Sequence, residues 1–177
     1  EKKTMKFFVC LSATVAGGKP IDDIVKFIGE NNHTLIYGGG KRGAMGQLSS
    51  SLTIHYPNVL QFVYTIPAYR FDIPKHVSFV KVCENLTERL TEMIEATDVA
   101  IVCPGGIGTA QELLTLIEWS RTERKIPIIV INESGHYDWL VSLVESWIKE
   151  GYASENLKDY FKVFNSFEDS VEFLNSL

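Results

Sequence analysis

The order of apolar and helical segments predicts an α/β protein built on a mainly parallel sheet. Short β-rich runs alternate with helical patterns, from KFFVCLS and IDDIVKFIGEN near the amino end to YDWLVSLVESWIKEG and YFKVFNS near the carboxyl end. This alternation indicates βαβ crossovers, which place helices on both faces of a parallel sheet. The strand candidates are continuous apolar runs, as expected where both faces of a sheet are covered. We therefore predict a Rossmann-like three-layer sandwich.

The same alternation predicts the strands and helices between these two ends of the chain. Predicted strands are HTLIYGGG, VLQFVYTIP, DVAIVCPGG and IPIIVIN, and predicted helices are AMGQLSSSL, ENLTERLTEMIEAT and TAQELLTLIEWSR. The least regular stretch, AYRFDIPKHVSFVKV at 68–82, is interpreted as a mobile loop near the ligand and a short strand. No internal repeat or interdomain linker interrupts the pattern, so residues 1–177 are predicted to form one domain.

Composition and charge exclude several classes of protein. With 177 residues the chain can bury a substantial core without disulfides or a bound metal. A formal charge of −5 and the lack of a lysine or arginine block argue against nucleic-acid binding. The apolar runs are too short to cross a bilayer, so no membrane span is expected. Cys10, Cys83 and Cys103 are interpreted as free buried thiols, and with no signal peptide they predict a cytoplasmic protein.

Two glycine-rich loops each follow a predicted strand and precede a predicted helix. One is YGGGKRGAMG, which contains Gly39 and Gly40, and the other is PGGIG at 104–108. In such sheets ligands bind at the carboxyl ends of the strands, where a glycine turn points backbone N–H groups at an anion. Neither loop is a P-loop or a complete GxGxxG fingerprint. The loops indicate a phosphate site, although their glycines alternatively serve only tight turns.

Two interpretations are open for Glu112, which follows the second glycine loop. Thr109 and Glu112 have the T-x-x-E spacing of a capping box, in which the two side chains accept hydrogen bonds from backbone N–H groups at a helix start. In the other interpretation, Glu112 lies beside a bound phosphate and directs its carboxylate into the same crevice.

Arg89 lies at the margin of the apolar stripe of a predicted helix, next to Leu86 and Leu90. The alternative for Arg89 is a surface pair with Glu92, which would stabilise the helix by only tenths of a kcal/mol. The four histidines show no metal-ligand spacing and the chain has no nucleophile elbow. We expect neither a metal nor a cofactor.

At this point the motifs match a known family. PGGIGTAQE at 104–112 resembles the PGGxGTxxE signature of the LOG (Lonely Guy) family, often labelled lysine decarboxylase-like. YGGGKRGAMG is similar to the family's second glycine motif, and ERLTEM at 88–93 resembles its arginine-containing helix. The likeness continues to EGY at 150–152 and so covers most of the chain. Characterised members of the family are cytokinin riboside 5′-monophosphate phosphoribohydrolases.

The resemblance implies the residues of the site. The family's catalytic arginine and glutamate fall on Arg89 and Glu112. The substrate- and phosphate-binding positions fall on Gly39, Gly40, Gly105, Gly106, Ile107, Gly108 and Thr109.

The chain departs from the family pattern beside the arginine. Leu90 and Thr87 stand where the family usually has lysine and histidine, and CLSATVAGG replaces its CGSS-like turn. These changes flank the pocket and bear on the preferred base more than on the chemistry. A homodimer or higher homo-oligomer is expected by analogy, and also because the LLTLIEW helix is more apolar than one sheet face requires.

The implied reaction is hydrolysis of the N-glycosidic bond of a small nucleotide substrate, a cytokinin riboside 5′-monophosphate or an AMP-like nucleotide. Positive charge builds on the ribose as the base departs, so a carboxylate stabilises the sugar while an arginine assists the leaving base. The alternative is a non-catalytic carrier of a nucleotide or of the molybdenum cofactor on the same fold. Pyridoxal-dependent decarboxylation is not expected, because the only lysine in the best-matched motifs is Lys41, in a loop.

Overall fold

A computed structural model describes residues 3–177 and contains one seven-stranded sheet. Every neighbouring pair of strands is parallel, in the order β4-β3-β2-β1-β5-β6-β7. This confirms the predicted parallel α/β fold. The strands are Lys6–Cys10 (β1), Thr34–Tyr37 (β2), Gln61–Thr65 (β3), Phe79–Val82 (β4), Val99–Val102 (β5), Ile128–Ile131 (β6) and Lys162–Phe164 (β7).

Helices cover both faces of the sheet. Successive residues of β1 point to opposite faces, so Phe7 packs with the first helical layer and Phe8 with the second, and both are fully buried. This explains why the strands are continuous apolar runs. Helices α1, α2 and α6 form the first layer, and α3, α4 and α5 form the second. The helices are Lys19–Glu30 (α1), Gly43–His55 (α2), Leu86–Glu95 (α3), Ile107–Thr122 (α4), Asp138–Glu150 (α5) and Phe167–Asn175 (α6).

Helix α6 is absent from the predicted element list. Its signals are nevertheless present in the sequence, because Ser166 caps the helix by accepting a hydrogen bond from the Asp169 N–H. Phe167 and Leu174 are each 1% exposed and pack against α1 and the sheet. The helix closes the first layer beyond β7.

The irregular stretch at 68–82 divides as predicted into a connection and a strand. The connection contains a 3₁₀ helix, Pro67–Asp72, and β4 follows as an edge strand whose four residues are all exposed. Shorter 3₁₀ helices lie at Glu133–Gly135 and Glu155–Tyr160.

The reversal of strand order lies between β1 and β5. From β1 the chain builds outward to β2, β3 and β4, whereas from β5 it builds the other way. The loops that leave β1 and β5 therefore separate above the sheet and form a crevice at the carboxyl ends of these strands. Both glycine loops lead from this edge of the sheet into a helix.

Two further findings bear on the compositional predictions. Cys10, Cys83 and Cys103 are all buried and free of disulfides. Within residues 3–177, no helix has the length and apolar character needed to span a membrane.

Candidate active site

A cavity of about 500 Å³ occupies the crevice between the loops after β1 and β5. Its walls are the β1 loop at 11–14, one side of α3 and the first turns of α4. Arg89, Gly106, Ile107, Gly108, Thr109 and Glu112 all border it. The structure therefore brings most of the predicted site residues together around one space.

The start of α4 presents backbone donors to this cavity. The helix begins at Ile107 with Gly106 as its N-cap, and no side chain from residues 3–177 caps it. The first hydrogen bond into the helix runs from Ala110 N–H to Gly106 C=O, so the preceding N–H groups have no partner within the helix. Such a helix start favours an anion through its free donors and its macrodipole.

The capping-box interpretation of Thr109 and Glu112 is wrong, because the helix starts two residues before Thr109. Thr109 is 4% exposed, and its hydroxyl donates instead to the Leu11 carbonyl, 3.2 Å away. This hydrogen bond ties the α4 start to the end of β1. Glu112 is thereby free of any capping role.

Gly105 serves the packing of the loop and does not border the cavity. A Cβ atom at Gly105 would lie 2.2 Å from Thr109 Oγ1, so only glycine fits. Its peptide group contacts His136, whose Nε2 lies 3.1 Å from Gly105 N and 2.9 Å from Gly105 O.

The structure does not bring Gly39 and Gly40 of the second glycine motif to the border of the cavity. The N–H groups at the start of α2 are already taken, because Ala44 and Met45 donate to carbonyls of the β1 loop. Gly43 has φ +58°, and a Cβ there would lie 2.6 Å from the backbone N of Thr14. This motif joins the start of α2 to the β1 loop, which engages two of the N–H groups at that helix start.

Arg89 is fixed by the carboxyl ends of two neighbouring strands. Its Nε donates to the Tyr64 carbonyl at 2.7 Å and its Nη2 donates to the Gly38 carbonyl at 2.9 Å. The predicted alternative, a surface pair with Glu92, is wrong, because Glu92 pairs with Lys81 and accepts a hydrogen bond from Cys83. The guanidinium is therefore held at the cavity wall in one orientation.

Glu112 faces Arg89 within the same cavity. Burial raises the pKa of the Glu112 carboxyl to about 7, and the positive charge of Arg89 opposes part of that rise. No hydrogen bond from a described residue contributes to the shift. Near neutral pH the carboxyl therefore exchanges between its protonated and ionised forms, with its oxygens available to a ligand.

The rest of the cavity wall is mainly apolar. Leu90, which departs from the family pattern, lines the cavity, whereas Thr87 does not. The other apolar contributors are Leu11, Met45, Tyr69, Leu86 and Met93. An apolar wall beside a charged pair suits a ligand with a flat, weakly polar part.

The sequence did not single out three further residues that line the site or support its loops. Tyr69 lines the cavity. It belongs to the 68–82 stretch, which the sequence analysis interpreted as a mobile loop near the ligand. Ser12 accepts hydrogen bonds from the N–H groups of Thr14 and Val15 and so folds the β1 loop. Tyr137 donates to the Cys103 carbonyl at 2.5 Å. The sequence signal that could have drawn attention to them is their place in connections that follow strands.

The fold and the cavity define a Rossmann-like α/β protein with an open helix start beside an arginine and glutamate pair. A family model described as "possible lysine decarboxylase" matches residues 40–174. The chain belongs to this family, the LOG family indicated by its motifs.

Curated relatives give the same assignment. The chain is 32% identical over 145 residues to a probable cytokinin riboside 5′-monophosphate phosphoribohydrolase of Oryza sativa subsp. japonica, covering 78% of this chain and 61% of the relative. It is 32% identical over 130 residues to a cytokinin riboside 5′-monophosphate phosphoribohydrolase of Arabidopsis thaliana, covering 73% of this chain and 61% of the relative. The matched segment thus spans about three fifths of these relatives.

Solved structures share the fold at lower identity. A molybdenum cofactor binding protein from Rippkaea orientalis superposes with a TM-score of 0.69 at 16% identity, covering 99% of this chain and 98% of that one. The molybdenum cofactor carrier protein of Chlamydomonas reinhardtii gives 0.69 at 14% identity, covering 98% of each chain. These similarities show the fold alone.

Proposed function

We propose that this protein hydrolyses the N-glycosidic bond of a nucleoside 5′-monophosphate, giving free base and ribose 5-phosphate. The observation that carries the proposal is the joint placement of Arg89, Glu112 and an uncapped helix start around one cavity. The curated relatives bear phosphoribohydrolase names, which supports the same reaction class. The substrate is a cytokinin riboside 5′-monophosphate or an AMP-like nucleotide.

The 5′-phosphate binds at the start of α4 in this proposal. The N–H groups of Ile107, Gly108 and Thr109 are the donors, and the macrodipole of a sixteen-residue helix adds to the attraction. Binding energy from the phosphate then positions the sugar, because it acts at a group remote from the bond that breaks. Gly39 and Gly40 have no part in this contact.

Glu112 and Arg89 act on the two sides of the breaking bond. As the C1′–N bond breaks, its electron pair goes to the base and positive charge develops on the ribose. Ionised Glu112 stabilises that charge and orients the water whose oxygen bonds to C1′, while Arg89 assists the negative charge on the leaving base. A proton from the water ends on the base. The apolar wall around Leu90 contacts the base itself.

The residues around the cavity do not suit a decarboxylase. An amino-acid decarboxylase of the pyridoxal type requires a lysine that forms a Schiff base with its cofactor. None of the described residues that line the cavity is a lysine. The family description "possible lysine decarboxylase" is therefore not our basis for the proposed reaction.

The test is product analysis with a matched pair of variants. AMP should yield adenine and ribose 5-phosphate in equal amounts, and adenosine should be a poor substrate. Glu112→Gln should lower the rate on the order of a thousandfold while AMP still binds. The control is Glu118→Gln, which removes an exposed carboxylate from the same helix and should leave turnover unchanged.

The same experiment separates the enzyme from a carrier. If wild-type protein binds AMP tightly and releases no base from any nucleotide tested, the hydrolase assignment is wrong. A binding or carrier role, such as the names of the structural neighbours suggest, then takes its place. The three free thiols favour a reducing compartment such as the cytoplasm for either function.

We also propose that the protein is a homodimer or a higher homo-oligomer. In α4, Leu114 is the large apolar residue beyond the first turn that is substantially exposed, because the others pack into the core within the chain. Exposed apolar residues lie elsewhere, at Leu86 and Ile107 on the cavity rim and along β4. A second copy that covers this region would also shield the cavity from water.

A further inference from the structure

The loop that leads into α4 is held from the side by the connection between β6 and α5. Tyr137, which is 1% exposed, donates its hydroxyl proton to the Cys103 carbonyl at 2.5 Å. The Asn132 side chain in turn accepts from the Tyr137 N–H at 2.6 Å. These contacts give the connection a fixed position against the beginning of the glycine loop.

His136 extends from this connection to the middle of the glycine loop. Ser134 and Gly135 precede it with φ of 54° and 74°, so two successive left-handed residues turn the chain back toward the loop. The imidazole packs edge-on against the Tyr137 ring, with centroids 4.9 Å apart. The ring is therefore held by packing as well as by its polar contact.

One nitrogen of His136 lies within hydrogen-bond distance of both polar atoms of the Gly105 residue. Nε2 is 3.1 Å from Gly105 N and 2.9 Å from Gly105 O. Without a proton, Nε2 accepts from the N–H, and with a proton it donates to the carbonyl. The position of that proton decides whether the Gly105 N–H is engaged or released.

We propose that His136 is a positioning residue for the anion-binding loop, and that it donates to the Gly105 carbonyl when a phosphate occupies the start of α4. In that state the ring holds the Gly105 carbonyl, and the loop keeps the open N–H groups of the first helical turn directed at the anion. The inference rests on the proposed function, because His136 would position the same loop to which the substrate phosphate is proposed to bind.

His136 borders a second cavity, of about 270 Å³, together with Glu133 and Cys103. Burial raises the pKa of the Cys103 thiol to about 12 and raises that of the Tyr137 hydroxyl, so both are neutral near pH 7. The described residues that complete this cavity from the β1 loop, α1 and α2 are not titratable. Glu133 is the one acidic residue among the described residues that border this cavity.

The test measures binding of ribose 5-phosphate and of adenosine to the full chain by calorimetry. His136→Phe keeps the ring packing on Tyr137 and removes both nitrogens. It should weaken ribose 5-phosphate binding about tenfold, the size expected for losing support of a charge-assisted hydrogen bond, with adenosine binding unchanged. In turnover of AMP it should raise KM by a similar factor, with kcat within about twofold.

A conservative variant and a control keep the test specific. His136→Gln retains a donor and an acceptor and should restore ribose 5-phosphate binding to within about threefold of wild type. His55→Phe changes an exposed histidine in the last turn of α2 and should have no effect.

The outcomes separate this inference from the proposed function. If His136→Phe binds ribose 5-phosphate as well as wild type does, or loses adenosine binding equally, the positioning role is wrong whether or not AMP is cleaved. It is equally wrong if wild-type protein shows no measurable binding of ribose 5-phosphate. If wild type binds but does not cleave AMP, the hydrolase proposal fails while the binding comparison still decides the role of His136.

Discussion

Glu112 is a carboxyl group held where its charge is disfavoured. Burial is the larger influence and Arg89 offsets only part of it, so the pKa is raised from 4.5 to about 7. A side chain placed in this way destabilises the folded chain when it is ionised. Such a cost is typical of functional positions, where stability and activity make opposite demands.

The ionisation of Glu112 should change stability and turnover in opposite directions. Since the folded state retains the proton between pH 4.5 and 7, unfolding releases it, and stability should fall as pH rises through this window. The unscreened shift corresponds to about 3 kcal/mol, which partial exposure of the side chain reduces to about 1–2 kcal/mol. Over the same range kcat/KM should rise and level off above about pH 7, because the proposed reaction requires the ionised form.

Urea unfolding at pH 5 and pH 8 measures the first effect and initial rates measure the second. Glu112→Gln should match wild type at pH 5 and exceed its stability at pH 8, since glutamine does not ionise. Glu118→Gln, on the exposed side of α4, should show neither behaviour. A Glu112→Gln protein that is less stable than wild type at pH 8 would contradict this account of the site.

The resemblance to the family indicated Arg89 and Glu112, which both border the cavity, but their contacts were not predictable. The partners of Arg89 are main-chain carbonyls 25 and 51 positions away, and any residue type supplies a carbonyl. No pattern of side chains can therefore indicate them. The sequence offered Glu92 as the partner of Arg89. That prediction is wrong, because the Glu92 carboxylate pairs with Lys81 of β4.

At the scale of elements, two loops with similar sequences perform different tasks. The start of α4 is open to the cavity, whereas the start of α2 is closed by carbonyls of the β1 loop. Gly43 fits where another backbone approaches closely, and Gly108 borders open space. The difference depends on which loop lies opposite each helix, and that follows only from the strand order.

Alanine substitutions should distinguish the two loops. Gly43→Ala should cost about 2–4 kcal/mol, because its Cβ meets backbone at 2.6 Å and its φ of +58° disfavours alanine. Gly108→Ala should leave stability unchanged or raise it by up to about 1 kcal/mol, since among the described residues no atom beyond its chain neighbours and the helix's own nearby backbone lies within 4 Å of the added Cβ. The new methyl group should nevertheless weaken ribose 5-phosphate binding about tenfold, which costs about 1.4 kcal/mol.

Chemical denaturation and calorimetry measure the two quantities on the same samples. Equal destabilisation by both substitutions would mean that both glycines serve the turn alone. If Gly108→Ala binds ribose 5-phosphate as tightly as wild type does, the proposal that the phosphate binds at the start of α4 is wrong.

The elements themselves were largely predictable, because each strand is a short apolar run buried on both faces. Residues such as Phe7 and Phe8 have no solvent-facing alternative, so the pattern is unambiguous. The start of α4 was placed at the wrong residue because Thr109 has capping-box spacing, while the glycines before it form the actual turn. Local spacing cannot show that the Thr109 hydroxyl finds its partner 98 residues earlier, at Leu11.

At the scale of the whole molecule, the exposed apolar residues predict where a second copy binds. Leu86 is 48% exposed and Ile107 is 91% exposed, both on the rim of the cavity. Sedimentation equilibrium should give at least a dimer at micromolar concentration. Leu86→Glu should shift the protein toward monomer, because a carboxylate in an apolar interface remains unpaired.

The matched control is Ile54→Glu, which places the same charge at a 73% exposed position on α2, in the opposite helical layer. It should leave the sedimentation behaviour unchanged. A wild-type protein that sediments as a monomer at micromolar concentration would exclude the homodimer, and an effect of Ile54→Glu alone would place the interface on the other face.

The adjacency of β1 and β5 also sets the order in which a newly made chain can become functional. Phe7 pairs with Val99, and the loop after β1 is tied to Thr109, so the centre of the sheet joins segments about ninety residues apart. Bringing segments so far apart in the sequence together costs chain entropy before any contact compensates for it. Folding is therefore slow for a domain of this size. During synthesis on the ribosome, strands β1–β4 emerge before β5, the second neighbour of β1. The site also requires α4, which emerges later still. The cavity therefore forms late, and the β1–β4 segment alone has no ligand with which to stabilise itself.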